Sequence, residues 1–331
     1  METESGSAGL SEAQSRWIRR MRLRHFEVLL TIARQGSLTG AAQALGITQP
    51  AVSQWLADIE SALGDKLFER GQRLRPRPVA VPVLAYAERA LNDARRAMAE
   101  VNVVRAGGRG LVRIGAMQVA AASLLPAMVL HLRELAPGVD LTLVEDIATG
   151  LWGRFERNEL DVLITRLDAR IVRSGYPHRT LFTDRHRVVC GLHHPLAQRK
   201  RVTWRDAARY PWLLPMRDTP LHEALIATFA AAGLTLPTPL VTSVAPTANV
   251  ALWRTTDALG LQSSAVATLS AAQNTLAVLP LTLTHDMGDV GLVWRESDPP
   301  AALQAVIDAA LVHRTVAGES HFSTRPPPSM G

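Results

Sequence analysis

The chain has 331 residues, enough for two or three domains, and a formal net charge of +6. The charge is uneven: residues 1–109 carry 16 Lys and Arg against 11 Asp and Glu, and residues 110–331 carry 20 against 19, as a nucleic-acid surface joined to a near-neutral remainder would. One cysteine, Cys190, excludes an intrachain disulfide and a cysteine-built zinc site; without an apolar leader or an apolar run of membrane length, the chain reads as cytoplasmic with no membrane partner.

Residues 1–20 are small and polar and are expected to form a disordered tail. Within residues 21–80 the run SLTGAAQALGITQPAVSQWLADIESALG starts at Ser37. It spells a helix, a short turn and a second helix. Ala41 and Ala42 are small where the helices must cross closely. Gly46 falls where the turn needs a positive φ. Thr48 can cap the second helix, and Pro50 lies in its first turn, where a missing N–H costs nothing. Such a unit reads DNA with the start of its second helix. Thr39, Thr48, Gln49, Pro50, Ser53 and Gln54 are the candidate DNA-contacting residues here, and a glutamine can pair with adenine. The plain alternative is a tight helical hairpin in an ordinary domain.

After Gly64, the segment DKLFER and the basic run to Pro78 suit a two-stranded wing. Arg70, Arg73, Arg75 and Arg77 are near-alternate, so on a strand they share one face and can meet successive phosphates. Arg70, Arg73 and Arg75 are the candidates. Taken together, the small-residue helix, the Thr-Gln-Pro-Ala opening and the Leu-Phe-Glu-Arg wing resemble the N-terminal signature of the LysR-type transcriptional regulators. The resemblance extends from about Arg22 to Thr315. It departs from the usual pattern at Gln54, Trp55, Ala57 and Asp58, and at Arg77-Pro78-Val79-Ala80 after the wing. It implies a winged helix-turn-helix, a dimerising linker helix and a two-lobed α/β effector domain resembling a periplasmic binding protein. Operator DNA, a small-molecule effector and a homodimer or homotetramer are the implied partners.

The linker helix is expected over residues 81–106. Leu84, Ala87, Leu91, Ala94, Met98 and Val101 follow the three-four spacing of a coiled coil. Ala106 to Gly110 then form a hinge. From Leu111 onward short apolar runs alternate with amphipathic stretches, which predicts parallel sheets covered on both faces. Residues 110–186 with 287–315 are expected to form one lobe and 187–286 the other, followed by a flexible tail over 316–331.

In open α/β sheets ligands sit beyond the carboxyl ends of the strands. Met117, Gln118, Thr165, Arg166, Ser243 and Ser263 at such ends, and Thr219 before the helix begun by Pro220, are the effector-site candidates, since helix N-termini with Ser or Thr also suit a carboxylate or phosphate. Arg166 can hold a carboxylate in a bidentate fork; its plain alternative is an ion pair with Asp168 or Asp184. For the Ser and Thr residues the alternative is simple helix capping. A carboxylate and a sugar both remain open as the effector. Leu160–Leu167 and Pro211–Pro215 are weakly similar to the galactose-binding-protein regulators and the regulators of aromatic-acid catabolism.

No enzymatic motif occurs: there is no G-x-S-x-G elbow, P-loop or H-E-x-x-H. Adjacent His193 and His194 do not suit one metal, and Lys200 lies in an exposed basic run unlike a Schiff-base lysine. No enzyme activity, metal or cofactor is expected. The competing class is a solute-binding α/β protein or enzyme with an incidental helical hairpin.

Overall fold

The structure is a computed structural model that describes residues 17, 19–69, 71–284 and 288–314. It divides into two compact units, residues 1–105 with 156–159, and residues 106–155 with 160–331. The tails beyond the described residues, and Arg70, lie outside it. Trp17 corrects the expectation of a tail reaching residue 20, because it packs partly buried against the core of the first unit.

In the first unit, α1 (Leu23–Gln35), α2 (Leu38–Leu45) and α3 (Gln49–Leu63) precede a wing of β1 (Phe68–Glu69) and β2 (Arg75–Pro76). The two wing strands pair antiparallel. Ser37 caps α2 by accepting the Gly40 N–H, and Thr48 caps α3 by accepting the Ala51 N–H. Between them Gly46 has φ of 65°, the left-handed conformation in which a Cβ is penalised. Val28, Leu29, Ile32, Ala41, Ala42, Val52 and Ile59 close the core.

The linker helix α4 spans Ala80–Arg105. Its first half does not wait for a partner. Ala87 is buried with Phe26 and Leu30, and Leu84 and Leu91 pack partly buried beside them. This half packs on its own domain, the plain alternative to a dimer seam, because the helix-turn-helix core supplies an apolar surface next to it. The second half is different: Met98, Val101 and Val104 are exposed, Val104 by 65%.

The second unit holds two lobes. The first is built on β3 (Gly110–Ala116), α5 (Gln118–Ser123), α6 (Leu125–Leu135), β4 (Val139–Glu145), α7 (Ala148–Glu156), β5 (Val162–Arg166), α8 (Ala169–Ser174) and β6 (His178–Thr183). The second holds β7 (His186–Cys190), α9 (Trp204–Ala207), β8 (Trp212–Leu214), α10 (Pro220–Ala231), β9 (Pro239–Thr242), α11 (Pro246–Thr255), β10 (Gly260–Ser263), α12 (Ser264–Ala272) and β11 (Ala277–Thr282). β12 (Asp289–Trp294) and α13 (Ala301–Val312) return to the first lobe.

The sheets are mixed, not wholly parallel as expected. In the first lobe the order is β4-β3-β5-β12-β6, with β3 parallel to β4 and β5 but β12 antiparallel to β5 and β6. The reason is connectivity: β12 re-enters from the second lobe and runs against the strands laid down earlier. The second lobe carries antiparallel β10-β7-β11 and parallel β8-β9. Both faces are covered as the apolar strands require. Val162 and Ile164 face a core with Met128 and Val306, while Leu163 faces one with Leu151 and Phe155. Cys190 is fully buried, and burial pushes its thiol up to about 12, so it is an inert packing residue.

Candidate nucleic-acid interface and effector cleft

On α3, Gln49, Pro50 and Gln54 are exposed and Ser53 is half-exposed. Thr39 is exposed near the start of α2. These positions follow from the opposite face of α3 being spent on Val52, Leu56 and Ile59 in the core. Gln54 Nε2 donates to Asp58 Oδ1 at 2.9 Å, one turn along. That bond holds the amide with its carbonyl oxygen uncommitted to Asp58.

Among the described arginines of the wing, Arg73 and Arg75 line one groove and only Arg77 is held elsewhere. Arg75 is on β2 and exposed, whereas Arg73 lies in the bend before it and is also exposed. Arg77 turns back to Asp65, at 3.0 Å, and to the Lys66 carbonyl, at 3.1 Å. It is a brace of the wing. Glu60, buried at the end of α3, accepts the Leu67 N–H at 2.9 Å and pairs with Lys66 at 2.7 Å, which fixes where the wing leaves the helix. The local sequence reading passed over this residue, though a carboxylate seven residues before the wing is a visible signal.

In the second unit a cleft of about 470 Å³ opens between the two lobes. Met117, Gln118, Arg166, Ser243 and Ser263 line it, so the structure brings five of the seven effector-site candidates together. Thr165 and Thr219 are not among its lining residues. Thr165 is buried in β5, where alternation turns it to the opposite face from Arg166. Thr219 caps α10 by accepting the His222 N–H. Ser243 and Ser263 also act locally, accepting the N–H groups of Ala245 and Val266.

Arg166 does not stand alone in the cleft. Its Nη2 donates to Asp184 Oδ2 at 2.9 Å and its Nη1 donates to the Gly288 carbonyl at 3.4 Å. Asp184 and Gly288 are on the two chain crossings between the lobes, themselves joined by Asp184 N–H to Gly288 O at 3.3 Å. Asp184 is 3% exposed. Burial pushes its carboxyl above the usual carboxylate range, against the pull of Arg166. His186, with its side chain 10% exposed, lies 3.8 Å from the same carboxylate. Burial, helped by Arg166, pushes that imidazole down to about 3, so it is neutral. Its Nδ1 and the Asn249 Oδ1 are buried without hydrogen-bond partners. Apolar walls come from Leu213, Leu214, Pro215 and Leu261. Sequence reasoning missed His186 and Asn249 because nothing in their local pattern marks them; only the packing of α11 beside β7 within the second lobe brings them to one wall of the cleft.

His194 accepts the Leu196 N–H at its Nδ1 in a turn, and among the described residues no cluster suited to a metal ion occurs. No helix among them is long and apolar enough to cross a membrane.

A DNA-reading unit followed by a two-lobed, clefted α/β domain defines a ligand-responsive transcription regulator. Residues 23–79 match the bacterial regulatory helix-turn-helix of the lysR family, and residues 105–314 match the LysR substrate binding domain. The chain belongs to the LysR family of DNA-binding transcriptional regulators and is not an enzyme. The HTH-type transcriptional regulator PcaQ of Agrobacterium fabrum is 26% identical over 301 residues, covering 91% of this chain and 96% of that protein. SyrM of Rhizobium meliloti is 30% identical over 260 residues, 78% of each chain. The crystal structure of CbnR, a LysR family transcriptional regulator, aligns over 89% of this chain and 99% of its own with a TM-score of 0.65 at 17% identity, a likeness of fold.

Proposed function

We propose that this protein controls transcription from a two-fold symmetric operator in the cytoplasm, and that a small molecule held in the cleft between the lobes sets its activity. Gln49, Ser53 and Gln54 read base edges, with Thr39 and Thr48 beside them; Arg73 and Arg75 meet phosphates, as does Arg70, which lies outside the described residues. In the proposed division the DNA-binding domain ends at residue 80 and the linker at 106, and residues 187–286 form the second lobe. Two copies join through the second half of α4, where Met98, Val101 and Val104 present an exposed apolar strip.

The observation that carries this reading is the cleft itself. It lies at strand ends of both lobes, as ligand sites of open α/β sheets do, and its walls combine apolar surface with a few convergent polar groups. The test fills it. Val244, 55% exposed at the cleft, can be changed to Trp without touching either lobe's core. A reporter gene driven by the protein's own operator should respond to growth medium in the parent and lose that response in Val244→Trp, with operator affinity retained. An unchanged response places effector sensing elsewhere.

A further inference from the structure

We infer that the effector is an uncharged, hydroxyl-bearing molecule with an apolar face, and that Arg166 with Asp184 staples the two inter-lobe crossings instead of binding an anion. The inference rests on the cleft being the effector site.

The charge inventory carries the argument. Among the described lining residues there is one cation, Arg166, against three carboxylates, Glu145, Asp146 and Asp184. Arg166 already serves Asp184 and the Gly288 carbonyl, each on a different crossing. An incoming carboxylate would have to share that guanidinium with Asp184, setting two negative charges side by side in a partly buried place. Taking the guanidinium away would leave the nearly fully buried Asp184 uncompensated. His186 offers no second cation, since it is neutral where it sits. Asp146 is directed to the start of α7, where its Oδ1 accepts the Ile147 N–H and Arg154 lies 3.8 Å from its Oδ2. Arg154 is not among the residues that line the cleft.

The polar groups in and behind the cleft walls are otherwise neutral. The His186 Nδ1 and Asn249 Oδ1 are buried and unpartnered, a pattern native proteins rarely leave standing. Gln118 adds an amide, and Gln262 adds one whose Oε1 already accepts from the Ser270 hydroxyl at 3.3 Å. Together these groups complement hydroxyls, which both donate and accept. Leu213, Leu214 and Leu261 supply the apolar wall. A sugar and a hydroxylated aromatic alcohol share this chemistry.

The test uses the full-length protein and probes matched except for one charge: D-galactose against D-galacturonate, and 4-hydroxybenzyl alcohol against 4-hydroxybenzoate. Thermal unfolding is followed at equal concentrations of each. The uncharged member of at least one pair should raise the melting temperature of the parent, its charged twin binding about tenfold or more weakly. The responding pair tells a sugar from an aromatic alcohol. Asp184→Asn should narrow that gap by releasing Arg166 toward anions. Stabilisation of the parent by a carboxylate as strongly as by its neutral twin overturns the inference, and so does a parent that no uncharged probe stabilises. The parent measurement stands if Asp184→Asn fails to fold. Val244→Trp separates the two levels: an uncharged probe that still stabilises it is bound outside the cleft, which defeats the site, not the charge argument.

Discussion

Arg166 and Asp184 meet at 2.9 Å in the cleft, and the pair joins strand β5 to the crossing that leaves the first lobe. Side-chain exposures of 19% and 3% make it a largely buried ion pair. The two residues therefore stand or fall together.

Arg166→Ala should destabilise the second unit by roughly 3–5 kcal/mol, the usual cost of leaving one partner of a buried pair behind. Replacing both, as Arg166→Met with Asp184→Leu, should recover most of that loss. Urea unfolding of the two variants checks this. If Arg166→Ala is as stable as the parent, the pair does not staple the crossings.

His186 sets an acid limit. In the unfolded chain an imidazole takes up a proton near pH 6.5, but in the folded protein the ring resists until about 3. The unfolded state thus binds more protons below 6.5, so this contribution is complete above that pH and is lost as the pH falls toward 3. By pH 5 the loss is about 2 kcal/mol. Asp184, held above the usual range, acts with the opposite sign at lower pH. Stability measured from pH 6.5 to 5 should therefore fall less steeply in His186→Phe than in the parent; equal slopes contradict the burial of the ring.

Glu60 ties the recognition helix to the wing through the Leu67 N–H and Lys66. Glu60→Ala leaves a buried N–H unsatisfied, a cost of about 1–3 kcal/mol. Denaturant unfolding should show the loss, together with weakened binding to all DNA as the wing arginines lose their placement. An unaltered stability means the wing is positioned by its other contacts.

For assembly, Met98→Asp with Val101→Asp should give a smaller species in sedimentation while leaving the helix-turn-helix folded, because these side chains are exposed. Leu91→Asp should instead unfold the first unit, since Leu91 packs beside Phe26 and Leu30. A parent-sized Met98/Val101 variant removes the seam from this half of the helix.

The helix-turn-helix was readable in the sequence because local chemistry dictates it: Ser37 and Thr48 cap, Gly46 turns and Pro50 starts a helix, each within four residues of its effect. The lobes were readable as alternating elements, but strand direction was not, since β12 runs antiparallel only because the chain returns from elsewhere. Strands β6 and β11 also escaped notice. The cleft was half-legible. Met117, Gln118, Arg166, Ser243 and Ser263 sit at strand ends that a topological rule points to, whereas His186 and Asn249 gain their meaning from partners far along the chain. Thr165 and Thr219 were expected there too; strand alternation turns Thr165 to the other face, and Thr219 at the start of α10 is not among the lining residues. For Arg166, the choice between an anion fork and an ion pair depended on where Asp184 would fall.

The most direct measurement is selection from a random-sequence DNA library by the full-length protein, run in parallel with Gln49→Ala and Arg75→Ala. The parent should enrich one two-fold symmetric sequence. On that sequence Gln49→Ala should lose about 1–3 kcal/mol of affinity with little change on random DNA, while Arg75→Ala weakens both alike and flattens the salt dependence. A parent protein that enriches no sequence, or a Gln49→Ala loss equal on both DNAs, contradicts a base-reading recognition helix.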